Sequence, residues 1–293
     1  QCFPPCLPCA TLLALRVVRI RESVISVMTG FMFAVPAAGL YLFSAIRQWL
    51  TLRGQRPANR GLVLTSAMVA SLLHLGYIGT DMLLGDSINF AYFEVGSLIC
   101  WVISLLLIFS SWRKPVDNLF IGLYPMAALI LLLAAASDQY LPLAHVSYGL
   151  AWHILLAILA YSVFTIAAVQ AVLLYLQDRN LKRHQTRGLL QSLPPLQTMD
   201  LLLFEMIWLG MLLLTAAFVI GWPFVVDLQE QHLQHKVILS LIGWAVFAVL
   251  LLGRYRYGWR GVVASRWTLA GTGLLVLSYF GSQFVLQIVL QRY

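Results

Sequence analysis

Long apolar runs separated by short polar or basic connections set the pattern of this chain. A helix needs about 18 or more predominantly apolar residues to cross the hydrocarbon core of a bilayer. Eight such runs are found, over approximately 26–46, 62–80, 91–111, 118–136, 149–176, 201–222, 237–253 and 267–290. None shows the alternation over about ten residues that marks a membrane β-strand. Hydrocarbon holds no water to satisfy amides and carbonyls, so each run is expected to be helical. The pattern therefore predicts an all-α fold, a polytopic membrane helix bundle of about eight transmembrane helices forming one domain over residues 26–293.

Composition excludes the soluble alternatives. Hydrophobic residues make up 61% and charged residues 10% of the 293 positions, and the mean hydropathy is +0.85. Soluble domains run at about 45–50% and about 25% respectively. Too few charges remain to cover a folded surface in water, so a soluble enzyme, a disordered chain and a disulfide scaffold are all ruled out.

Charge then orients the bundle. Fourteen of the 19 basic residues fall in alternate connections: Arg47, Arg53, Arg56, Arg60; Arg113, Lys114; Arg179, Lys182, Arg183, Arg187; Arg254, Arg256, Arg260, Arg266. The opposite connections and the C-terminus hold Lys236 and Arg292. Lys and Arg concentrate in cytoplasmic loops, so the first set is cytoplasmic and both termini lie outside. The net charge of +8 is this topological signal and requires no nucleic-acid partner.

The remaining basic residues, Arg16, Arg19 and Arg21, belong to an N-terminal tail over 1–25 that carries Cys2, Cys6 and Cys9 among prolines. No further ligands complete a four-coordinate metal motif there, and the order of regions in a signal peptide is missing. The tail is expected to be unstructured or an over-extended start, with Met28 the better physical beginning.

Polar groups inside spans are costly and therefore mark chemistry. His74 lies six residues before the outer end of the second span, about 9 Å deep, and His153 lies four residues inside the fifth, about 6 Å deep. Glu94 opens the third span. His153 shares a helical stripe with Ala157, Ala160, Phe164, Ala167 and Ala171, small residues that let neighbouring helices approach. His74 shares one with Ala67, Ala70, Ser71, Tyr77 and Asp81, and Glu94 one with Ser97, Trp101 and Ser104. Two imidazoles and a carboxylate at similar depth suggest a pocket edged by Glu94, Trp101, Tyr77 and Tyr148. Imidazoles on facing helices suit haem iron, although a membrane histidine also serves as a helix–helix hydrogen-bonding group.

The other polar groups carry blander expectations. His145, His232 and His235 are read as outer-loop residues and His184 as a solvated cytoplasmic one. Glu205 is close enough to the cytoplasmic side to pair with loop cations, and Gln170 and Cys100 are read as packing. No phosphate loop, zinc-hydrolase motif or nucleophile elbow is present, so no enzyme activity is expected.

Four segments in order resemble the cytochrome c assembly family, which includes CcsA-, CcmC- and HemX-like proteins, with the nearest likeness to its YpjD-like branch. They are Trp152-His153-Ile154-Leu155-Leu156-Ala157-Ile158-Leu159-Ala160-Tyr161-Ser162, the turn Gly258-Trp259-Arg260-Gly261, the stretch Ser278-Tyr279-Phe280-Gly281, and Glu94-Val95-Gly96-Ser97-Leu98. The resemblance covers nearly the whole chain from Met28. It implies a multi-pass protein of the bacterial inner (plasma) membrane that binds or moves haem, with His153 as the outer-face ligand to haem iron and His74 as a second ligand. It also implies haem, the lipid bilayer and other cytochrome c biogenesis proteins as partners. The outer loop Trp222-Pro223-Phe224-Val225-Val226-Asp227-Leu228-Gln229-Glu230 departs from the tryptophan-rich WWD stretch of CcsA- and CcmC-like members. A haem-free accessory or regulatory subunit of another membrane complex, such as a transporter, therefore stands as the alternative. A solute carrier is the weakest reading, since no inverted repeat is evident.

Overall fold

The computed structural model describes residues 9–55, 57, 59–82, 88–137, 139, 141–143, 147–182, 193–224, 234–281 and 284, and the side chains of 9–27 lie outside that description. Among the described residues, eight α-helices follow one another: α1 (Cys9–Leu52), α2 (Arg60–Tyr77), α3 (Tyr92–Ser111), α4 (Phe120–Ala135), α5 (Tyr148–Lys182), α6 (Leu196–Gly221), α7 (Gln234–Tyr257) and α8 (Val262–Val276). Single π turns, Ile78–Met82 and Leu277–Gly281, continue α2 and α8. Among the described residues, seven segments are long and apolar enough to cross a membrane, namely Met28–Leu52, Arg60–Thr80, Tyr92–Ser111, Asp117–Ala135, Tyr148–Lys182, Leu196–Gly221 and Lys236–Tyr257. Of the eighth expected span, α8 and its π turn reach Gly281, and most of the rest lies outside the described residues.

Two boundaries differ from expectation. Helix α1 begins at Cys9, so the backbone of the N-terminal segment is helical from there into the first span. Helix α5 continues past the apolar run to Lys182, where Asp178 and Lys182, one turn apart, form an ion pair at 2.7 Å that extends the helix into the polar zone. Among the described residues, the one strand pairing joins Ile88–Asn89 to Pro142–Leu143, antiparallel. Asn89 ties this outer clip together: its Oδ1 accepts from Ala91 N at 3.1 Å and Leu141 N at 2.9 Å.

Helix α5 divides the interior. Its Ile158 and Ile166 join a core built with α1–α4 around Tyr41, Phe120 and Tyr124. The expected small-residue stripe, Ala160, Phe164, Ala167 and Ala171, instead enters a second core with α6–α8. There the Phe164 and Phe247 rings stack with centroids 4.1 Å apart. In the first core α2 packs on α3, and α3 packs on both α4 and α5.

Among the described residues, every ion pair lies at the end that the basic loops assign to the cytoplasm. Arg60 Nε meets Asp117 Oδ2 at 3.1 Å, and Lys114 pairs with Glu205. The strongest assembly is a clasp joining α6, α7 and the turn before α8. Asp200 Oδ2 lies 2.9 Å from Arg254 Nη1, and its Oδ1 accepts from Gly261 N at 3.0 Å. Arg254 Nη1 also donates to Trp259 O at 3.0 Å, and its guanidinium sits 4.4 Å from the Phe204 ring centroid. The turn needs left-handed backbone at both ends, with φ +67° at Gly258 and +60° at Gly261, which glycine adopts without Cβ strain. Trp259 stacks on Trp267 at 5.4 Å. The Gly-Trp-Arg-Gly segment is thus the inner clamp of the second core. Arg254 serves that clamp as well as the topology.

Candidate functional site

The polar residues singled out within the spans form two separate groups. In the first, α2 and α3 face each other across three rungs. His74 is wholly buried, with Nε2 2.8 Å from Ser97 Oγ and Nδ1 3.3 Å from Tyr41 Oη on α1. One turn away, Tyr77 Oη donates to Glu94 Oε1 at 2.7 Å. Trp101 Nε1 donates to Ser71 O at 3.0 Å, tying the same two helices one turn deeper. The seam forms because Ala67, Ala70, Ser71, His74 and Tyr77 recur at helical spacing on α2, all buried. Glu94, Ser97 and Ser104 do the same on α3. Of the expected pocket, Tyr77, Glu94 and Trp101 line the same seam as His74, whereas Tyr148 is exposed beside Trp152 on α5. The side chain of Asp81 lies outside the described residues.

The second group is built on the outer end of α5. His153, half-buried, places Nδ1 2.8 Å from the carbonyl oxygen of Ala217 on α6. A carbonyl only accepts, so in the neutral ring Nδ1 carries the proton and Nε2 keeps the lone pair. The ring reaches α6 because residue 221 is glycine: a Cβ there would clash with His153 Nδ1. Exposed aromatic side chains flank this end. Tyr148 and Trp152 meet edge to face with centroids 6.1 Å apart, and Trp222 follows directly on Gly221 in a short 3₁₀ turn.

The expected pairing of His74 with His153 on one iron is not assembled. Metal–imidazole bonds are about 2 Å long, so both rings would have to meet across a gap of about 4 Å. Instead α3 stands between them. Ser97 faces His74, while Ile99, about 200° further round the helix, presents its carbonyl to Ser162 of α5 at 3.4 Å. Both nitrogens of His74 are also engaged by hydroxyls, and a metal would have to displace one of them. Tyr41, Ala217 and Gly221 were the partners that sequence reasoning missed, whereas Ser97 was legible on the Glu94 stripe. Among the described residues no group of three or more His, Cys, Asp or Glu gathers for a bare metal ion. His145, His184 and His232 lie outside the described residues, as does the His235 side chain.

A bundle of long apolar helices with basic loops at one end and polar seams in its interior defines a multi-pass membrane protein. The chain belongs to the cytochrome c assembly family: the family profile described as Cytochrome C assembly protein matches residues 63–290. It is similar to the inner membrane protein YpjD of Escherichia coli K12, with 30% identity over 233 residues, covering 78% of this chain and 88% of that one. It is also similar to protein HemX of Brevibacillus brevis, with 29% identity over 131 residues, covering 44% and 48%. An uncharacterized 28.8 kDa protein of Azospirillum brasilense shares 31% over 140 residues, covering 47% and 52%. No solved structure matches the chain.

Proposed function

We propose that this protein handles haem for cytochrome c assembly at the outer face of the bacterial inner membrane, with His153 as the ligand to iron. The observation that carries the reading is the His153 Nδ1–Ala217 contact at 2.8 Å. Ligating histidines characteristically donate their other ring N–H to a carbonyl or carboxylate, which fixes the tautomer and raises the basicity of the free nitrogen. His153 meets that requirement before any metal arrives, and the exposed rings of Tyr148, Trp152 and Trp222 supply flat apolar surface for a macrocycle. Family membership and the name of the relative YpjD support the assembly role and the inner membrane.

Haem, when bound, supplies the iron chemistry, and the chain's own residues bind and orient it. The protein performs no covalent step itself, and other cytochrome c biogenesis proteins are its partners. His74 takes no part in ligation in this reading. Protein purified from cells supplied with haem is expected to show a Soret band at about one haem per chain. A colourless protein that co-purifies with a fixed membrane partner contradicts the reading and favours the haem-free subunit.

Gly221 provides a second check. In Gly221→Val the added side chain drives the His153 ring away from Ala217. Losing such a supporting contact costs about 10–100-fold in metal affinity, so haem titration is expected to show weakened binding in that range. Unchanged affinity would show that the Ala217 contact has no role in ligation.

A further inference from the structure

Charge at the inner face is unevenly satisfied. The cytoplasmic connections and helix ends carry four carboxylates, Asp117, Asp178, Asp200 and Glu205. Each already holds a cation: Arg60, Lys182, Arg254 and Lys114 respectively. The stretch 183–192 after α5 adds Arg183 and Arg187 and no carboxylate. Among the described residues, no carboxylate therefore pairs with Arg179, near the end of α5, or with Arg266, near the start of α8.

These two cations share a cleft. Helices α5 and α8 pack together, and their inner ends enclose a hollow of about 400 Å³ lined by Tyr175, Asp178, Arg179, Lys182, Val262 and Arg266. Lys182 and Asp178 offset each other within it, so the two arginines leave the hollow with a net positive charge. Like charges converging on one space repel, and an anion seated between them removes that cost. A guanidinium is a planar fork that matches a phosphate through two parallel hydrogen bonds. Tyr175 adds a phenolic donor.

The surface that continues from the cleft into the membrane is apolar. On α5, Leu176 and Val172 share a face with Arg179 at helical spacing, and both are exposed. On α8, Leu269 follows Arg266 by three residues and is exposed as well. Four residues further, a Cβ at Gly273 would meet nothing within 4 Å. A phosphate head with hydrocarbon tails matches this succession of charged and apolar surface, whereas a free anion uses only the charged part.

We propose that the cleft binds an acidic phospholipid of the inner leaflet, with Arg179 and Arg266 on its phosphate and its acyl chains along Leu176 and Leu269. Basic pockets between helices at the cytoplasmic side suit anionic headgroups. A zwitterionic headgroup fits less well, because its ammonium meets two guanidinium groups while Asp178 is engaged by Lys182. One lipid molecule thereby ties α5 to α8 at the end opposite His153.

The test is native mass spectrometry of the full-length protein in detergent, titrated with phosphatidylglycerol or with phosphatidylethanolamine of the same acyl chains. One phosphatidylglycerol per chain is expected to bind in preference to phosphatidylethanolamine. In Arg179→Gln/Arg266→Gln its affinity is expected to fall about 30-fold, roughly fivefold for each arginine. Arg266→Gln alone, with a loss of about fivefold, serves should the double variant not fold. Arg113→Gln/Arg256→Gln removes the same charge from exposed positions outside the cleft and is expected to keep the preference. Equal losses in the two double variants overturn the site, because diffuse positive charge would then attract the lipid. Equal binding of both lipids by the unmodified protein overturns it too. Displacement of the bound lipid by excess glycerol phosphate, which lacks acyl chains, would overturn the assignment to a lipid. None of these outcomes depends on whether haem binds.

Discussion

His153→Ala is expected to abolish the haem spectrum while leaving a folded protein. The ring makes one described hydrogen bond, to Ala217 O, and is half-buried at the outer end of α5. Its loss therefore costs about 1 kcal/mol of stability. Removing the iron ligand itself costs more than removing a supporting contact, so affinity is expected to fall by roughly 100-fold or more. His74→Leu should behave in the opposite way. It leaves Tyr41 Oη and Ser97 Oγ buried without the ring they face, at about 1–3 kcal/mol for each group left unsatisfied, and the Soret band persists. Absorption spectra and thermal midpoints of both variants separate the roles. A band lost in both variants at equal stability would restore the two-histidine pairing that the intervening α3 disfavours.

Asp200→Ala is expected to give the largest loss of stability among single changes at the inner face. The carboxylate is buried and serves two donors at once, Arg254 Nη1 and Gly261 N. Without it the guanidinium loses its counter-charge and the turn loses its anchor on α6. Breaking a buried pair costs about 3–5 kcal/mol. Arg254 keeps some access to water, which brings the expected loss to about 2–4 kcal/mol. Glu205→Ala removes a partner of Lys114 in a pair where both side chains are well exposed, and its effect should stay below about 1 kcal/mol. Thermal unfolding in detergent checks the contrast. Equal shifts for the two variants would mean that Asp200 does not organise the turn.

What the sequence revealed and what it hid follow from the range of the interactions. Spans are local properties, and the apolar runs located seven of them within a few residues. The stripes on α2, α3 and α5 were equally legible, because side chains three and four apart share a face whatever lies opposite. The identity of the opposite surface was not. Ala217 is 64 positions from His153, and its part is played by a backbone carbonyl that any residue carries. Gly221 left a faint signal, a glycine near a helix end, which reads equally well as a terminator. The stripe of His153 pointed inward as expected, but into the core of α6–α8 and away from that of His74, and matched depth did not reveal which side of α3 each ring occupies. The basic turn at Arg254 and Arg260 was legible as topology. Its clamp on Asp200 needed the third dimension.

Chemical rescue tests the central claim most directly. His153→Gly opens a cavity where the imidazole stood, and the full-length variant, purified with haem supplied, is recorded before and after addition of free imidazole. With His153 as the iron ligand, the variant lacks the Soret and reduced α bands of the unmodified protein and imidazole restores them. Bands of full strength in His153→Gly without imidazole would contradict the assignment of His153 as the iron ligand.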